Sequence, residues 1–293
     1  MMKKFSFYTR LFAILLVVVS CTTEDKPNSA QSVVDFEKKK DTPFDRYIKR
    51  EFTDVYNIEI LYRMPDIQTN QNEVVVPANY ANSVKMANLL KYLCLEPYNE
   101  VAPPSFLKKY FPKTIMFIGS SAYRNNGTRV LGTAESGVKI NLYDINALDP
   151  SNVDRLFDFY FRTIFHEFSH IMHQTIDYTK EFEVISATDY VGDSWSNSDL
   201  TEQMALDKGF VSRYSRKEAN EDFVEILAYY VTTSEASWNA MLSTAGGADK
   251  IKQKTAIVKS YMLNTWQIDL DVLRQKVQDR IANLDNVDLD NIN

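Results

Sequence analysis

Histidine is scarce in this chain: there are three in 293 residues, and His166, His170 and His173 all fall in one short segment. Cysteine is scarcer still, with only Cys21 and Cys94. Cys21 sits where a lipid-modified residue is expected, as argued below, so Cys94 has no partner and no intrachain disulfide can staple the fold. Stability then rests on core packing and on any bound metal. No basic tract occurs in the body of the chain and the net charge is −6, which excludes nucleic acid as an expected partner and argues against electrostatic docking on anionic lipid. The apolar run from Leu11 to Val19 is too short to cross a bilayer as a helix. Internal repeats are absent.

What is present begins with His166-Glu167-Phe168-Ser169-His170, an H-E-x-x-H sequence. Residues i and i+4 lie one above the other on a helix face, so both imidazoles can reach one ion, here Zn²⁺. Glu167, one step round the helix, stands beside the open position of such an ion and can act as general base on a water. Apolar residues at Val153, Phe157, Tyr160, Phe161, Ile164, Phe168 and Ile171 keep helical spacing through the motif. Pro150 suits a first helical position, and Ser151 with Asp154 forms a candidate capping box. Bulky apolar side chains on most faces predict a helix through the middle of a domain.

A catalytic zinc site needs a third protein ligand. His173 shares the face of the other two histidines but lies about 4.5 Å further along the axis. No glycine breaks the helix before it, so it reads as support for a ligand or as cleft wall. Glu221 and Glu225 stand together on a later helix, opposite Phe223, Ile226, Leu227 and Tyr230. Periodicity alone makes that pair a solvated face. The need for a carboxylate makes Glu221 the expected ligand, with Glu225 free to hold the outer nitrogen of a ligand histidine. Glu202, Asp189, Asp193 and Asp199, in an irregular polar stretch, are the weaker alternatives.

Lys3 and Lys4, the short apolar run and Val18-Val19-Ser20-Cys21 have the layout of a signal peptide ending in a bacterial lipobox. Lipid on Cys21 would hold the protein at a membrane while its body stays in water. The expected organisation is a signal peptide over 1–20, a lipidated flexible tether over 21–45 and a zinc metallohydrolase domain over 46–293. Within the domain, Thr53 to Tyr62 is an expected strand, Ser83 to Leu95 a helix and Phe106 to Phe111 a short helix. Thr114 to Gly119, Val130 to Gly132 and Gly137 to Tyr143 are further strands, the last with clean alternation, and Asn125-Asn126-Gly127 is a turn. From residue 217 the pattern is helical. Strands before helices predict an α+β fold of the zincin type, with an edge strand along the cleft able to bind extended substrate.

The motif, taken with Tyr214 and the run from Glu218 to Glu225, resembles the catalytic domain of anthrax toxin lethal factor and its relatives. That resemblance implies Glu221 as third ligand, Tyr214 as the phenol that stabilises the oxyanion, and Glu225 as support for a ligand histidine. Over most of the chain the sequence also resembles the substrate import-associated zinc metallohydrolase lipoproteins, through Phe106 to Lys113, Asn126-Gly127-Thr128, Leu131 to Glu135 and Val191 to Trp195. Val224 departs from the alanine common there. This resemblance implies a zinc metallopeptidase acting on a peptide or protein. It also implies an outer-membrane lipoprotein partnered by a TonB-dependent importer and its nutrient-binding lipoprotein. Two other readings compete: a non-catalytic accessory lipoprotein stapled by zinc, and a hydrolase of peptidoglycan crosslinks or another amide.

Overall fold

The computed structural model describes residues 41–65, 74–123, 129–130, 132–135 and 138–293. The expected signal peptide, the tether as far as residue 40 and the Asn125-Asn126-Gly127 turn lie outside the described residues. The stretch read as tether gives way to ordered structure before residue 46. Thr42 caps a short helix, Pro43–Ile48, through a reciprocal capping box with Asp45, and Phe44 is fully buried against Tyr62 and Tyr80. Of its three buried apolar residues, Phe44, Tyr47 and Ile48, only Phe44 falls within the stretch read as tether, too little for periodicity to register there.

Among the described residues, six strands form two sheets. β1 (Glu59–Leu61), β2 (Thr114–Phe117), β5 (Gly132–Glu135) and β6 (Lys139–Leu142) make a four-stranded sheet in the order β1-β2-β6-β5. Its first three strands run parallel and β5 closes the edge antiparallel to β6. β3 (Ala122–Tyr123) and β4 (Arg129–Val130) pair separately. The first expected strand is shorter than its alternation suggested. Lys49 to Tyr56 is helical, Val55 is exposed, and Asn57 turns the chain with a left-handed φ of 58° before β1 begins. β6 departs from expectation too: all four of its residues are buried. Lys139 and Asn141 are buried along with Ile140 and Leu142, so both faces of β6 are covered and the sequence alternation marks no exposed face.

The helices that matter are α1 (Tyr80–Leu90), α2 (Arg162–Thr175), α3 (Ala219–Thr232), α4 (Ala248–Trp266) and α5 (Leu270–Ala282). α1 runs on through a wide turn to Val101, longer than the expected helix. α2 carries the H-E-x-x-H residues. Its helical run starts at Val153, where Asn152 rather than Ser151 provides the cap by accepting from Arg155 N. Pro150 and Ser151 belong to the preceding turn. Between the cap and α2, Phe157 to Phe161 forms a wider π turn, a feature concentrated at functional sites in proteins generally. Phe165 and Phe168 point into the core, where Phe168 meets Tyr98, Phe106 and Phe111 at ring separations of 5.2, 5.7 and 4.8 Å. The face left over is the one that carries the histidines, and α3 packs against α2. β5 also lies beside α2.

Candidate metal centre

Four residues apart on α2, His166 and His170 set their rings 4.8 Å apart and their Nε2 atoms at 3.2 Å. Glu221 reaches over from the first turn of α3. Its Oε2 stands 3.2 Å from His166 Nε2 and 3.1 Å from His170 Nε2. The three atoms form a nearly equilateral triangle. Around an ion held tetrahedrally at zinc-to-nitrogen or zinc-to-oxygen lengths of 2.0–2.1 Å, neighbouring donors stand roughly 3.3 Å apart. The triangle is therefore the size of one face of such a tetrahedron. Two imidazoles and a carboxylate are also the donor set of zinc sites that keep a fourth position open, so these residues fit a zinc ion.

Each donor is fixed from behind. Glu225, one turn along α3 from Glu221, accepts from His166 Nδ1 at 2.8 Å. Its other oxygen accepts from the buried Ser212 hydroxyl, whose Oγ takes the Ser215 backbone N–H at 3.1 Å. The outer nitrogen of His170, Nδ1, lies 3.0 Å from His173 Nε2. Burial, with the charge of His170 beside it, pushes His173 down to about 4. For His170 to turn its Nε2 lone pair to an ion its Nδ1 must carry the hydrogen, and His173 Nε2 is placed to accept it. The structure thus places His173 behind the triangle rather than in it.

Glu221 completes the pattern with its second oxygen, Oε1, which accepts from the Tyr214 hydroxyl at 2.8 Å and from Lys217 Nζ at 2.8 Å. Burial opposes ionisation of Glu221, but hydrogen bonds from His166, His170 and Lys217, with the charge of His166, hold its carboxyl far below the usual range. His166 responds in kind. Burial alone would lower it, and Glu221 and Glu225 outweigh that and raise it to about 10.

Glu167 follows His166 on α2 and is half-buried, and its charge adds to those that raise His166. Tyr214 packs at 5.8 Å from the His166 ring, and Trp195 stands edge-on to Tyr214 at 4.8 Å. Arg213 ties the Trp195 loop down by donating to the carbonyls of Trp195 and Asn197. The alternative carboxylates are engaged or exposed elsewhere. Glu202 accepts from Arg213 N, Asp189 pairs with Lys208 and Lys250, and Asp193 and Asp199 are exposed. The Glu221–Glu225 side of α3 is not a solvated face, since both residues are buried against α2. Two contributors had no reading in the sequence. Lys217 stands four residues before Glu221, but α3 starts only at Ala219, so helical spacing alone does not join them. Ser212 reaches Glu225 across a loop and leaves no periodic trace.

Comparison with known proteins agrees in kind with this geometry. The profile of a family described as “Putative zinc-binding metallo-peptidase” matches residues 37–271. Among solved structures, the chain is similar to one described as “a putative zinc-binding metallo-peptidase from Bacteroides caccae”, with 38% identity and a TM-score of 0.76. That match covers 89% of this chain and 100% of the other. A search of the curated proteins found no match.

Proposed function

The chain belongs to the family described as “Putative zinc-binding metallo-peptidase”, and from that premise we propose that it is a zinc-dependent peptidase held at the outer membrane by lipid on Cys21. It works there beside a TonB-dependent nutrient importer and the importer's nutrient-binding lipoprotein. One observation carries the catalytic part: the triangle of His166 Nε2, His170 Nε2 and Glu221 Oε2, 3.1–3.2 Å on a side. The anchor and the partners rest on the lipobox and on the family resemblance.

Zinc, when bound, supplies a Lewis acid that acidifies water and polarises a carbonyl. The remaining work falls to the chain's own side chains. His166, His170 and Glu221 hold the ion from one side and leave the other to substrate. The Glu167 carboxylate takes the proton of the attacking water and passes it to the leaving nitrogen. Tyr214 turns its hydroxyl toward the substrate oxygen that gains charge as the carbonyl becomes tetrahedral. β5, an edge strand beside α2, offers backbone groups to an extended peptide.

The test sets Glu167→Gln beside wild type. Both are expected to carry one zinc per chain by elemental analysis, while hydrolysis across a peptide library falls by about 10²–10⁴-fold in the variant. Equal cleavage by the two would remove Glu167 from the chemistry. Equal zinc with no cleavage by either, and unaltered nutrient uptake, would leave the accessory reading in its place. The anchor is tested separately: labelled palmitate should enter wild type and not Cys21→Ala, and the variant should leave the membrane fraction.

A further inference from the structure

Glu221 has two oxygens with different occupants. Oε2 faces both histidine Nε2 atoms, and Oε1 accepts from Tyr214 and Lys217 together, each at 2.8 Å. A carboxylate oxygen has two lone pairs in its plane, and two strong donors occupy them. Such an oxygen is closed to an ion, so Glu221 can present only Oε2. The distinction matters for hydrolysis. A glutamate that grips zinc with both oxygens takes up coordination space that a catalytic site leaves for water and substrate.

Tyr214 cannot secure this arrangement by itself. A phenol has one proton to donate. Here it goes to Glu221, and during hydrolysis as proposed above it goes to the substrate oxygen. While the phenol is away, a second donor must keep Oε1 closed. Lys217 is placed for that. Its ammonium carries three donors, lies 5.5 Å from the centre of the Tyr214 ring, and among the described residues has only the exposed Glu218, at 3.9 Å, as a competing carboxylate.

We propose that Lys217 is a positioning residue that holds Glu221 as a one-oxygen zinc ligand, so that Tyr214 is free to leave Glu221 for the substrate. It touches neither substrate nor ion. The proposal rests on the zinc-peptidase reading, and its test separates the two.

Tyr214→Phe, which takes the phenol's donor off Oε1 as substrate would, is prepared alone and together with Lys217→Met or Lys217→Arg, and each protein is stripped of metal and loaded with cobalt(II), whose visible absorption weakens as coordination grows from four to five. Lys217 is part-exposed, so the substitutions leave the core intact, and matching circular dichroism melts check this. Adding Lys217→Met is expected to leave cobalt bound but to cost several-fold in absorption as Glu221 closes on the ion with both oxygens, and Lys217→Met by itself should lower kcat about tenfold with KM nearly unchanged. Lys217→Arg, which keeps a cation and a donor, should recover most of both. A spectrum of the Tyr214→Phe, Lys217→Met protein identical to that of Tyr214→Phe overturns the proposal alone, whatever the peptide assay gives. A wild type that takes up no cobalt overturns it together with the metal reading beneath it.

Discussion

Proton and ion compete for one nitrogen at His166. Glu221 and Glu225 raise its pKa from 6.5 to about 10 against the pull of burial. In the metal-free protein the stability this contributes is complete below pH 6.5 and is lost as pH rises through about 10, since the native state binds the extra proton across that window. Zinc needs the neutral ring, so loading the site must expel the proton. Titration calorimetry in buffers of different ionisation heat should therefore find about one proton released per zinc at pH 8, and apparent affinity should climb roughly tenfold per pH unit between pH 7 and 9. Release of no proton would mean that His166 is already neutral. His173 acts at the same scale, because its Nε2, 3.0 Å from His170 Nδ1, is placed to accept the hydrogen that a metal-bound His170 carries there.

The unit of function at the next scale is the α2–α3 pair. α2 presents two histidines because its other faces are committed to aromatic packing, and α3 answers with Glu221 and Glu225 one turn apart. α3 is held in that pose on its far side by the fully buried Asp222–Lys254 ion pair to α4, 2.5 Å long, with Tyr190 donating to the same carboxylate oxygen at 3.0 Å. The glutamates thus have separate jobs on one rigid element. Removing Glu225 leaves the triangle intact but lets the His166 ring turn. Glu225→Ala is expected to weaken zinc binding by about 10–100-fold, read by competition with a chelator of known affinity. Glu225→Gln, which can still accept from Nδ1, should recover part of the loss.

Across the whole molecule, an ion at this site joins segments 51 residues apart, His170 and Glu221. Among the described residues no disulfide does comparable work, since Cys94 is free and buried. At zinc a thousandfold above its dissociation constant, binding stabilises the native state by about 4 kcal/mol. For a domain of this size that raises Tm by roughly 8–16 °C. Differential scanning calorimetry with zinc and then with excess EDTA should show the gain and its reversal, and an unmoved Tm would deny that the native state binds the ion.

Much of this was legible along the chain because the information is local. The i, i+4 spacing of His166 and His170, the one-turn offset of Glu221 and Glu225 and the helical second half are set by backbone geometry within a dozen residues. Where local signals conflicted, tertiary packing decided. Asn152 capped the motif helix in place of Ser151, β1 kept only the end of an alternating stretch, and β6 was covered on both faces, Lys139 and Asn141 included. The sequence by itself determined which side chains can share a face of one helix, and so the chemistry available. Only the tertiary structure decided that α3 crosses α2 where Glu221 completes the triangle, and that Ser212 and Lys217 close in behind it. Those distances come from packing between elements far apart in sequence, and no local periodicity encodes them.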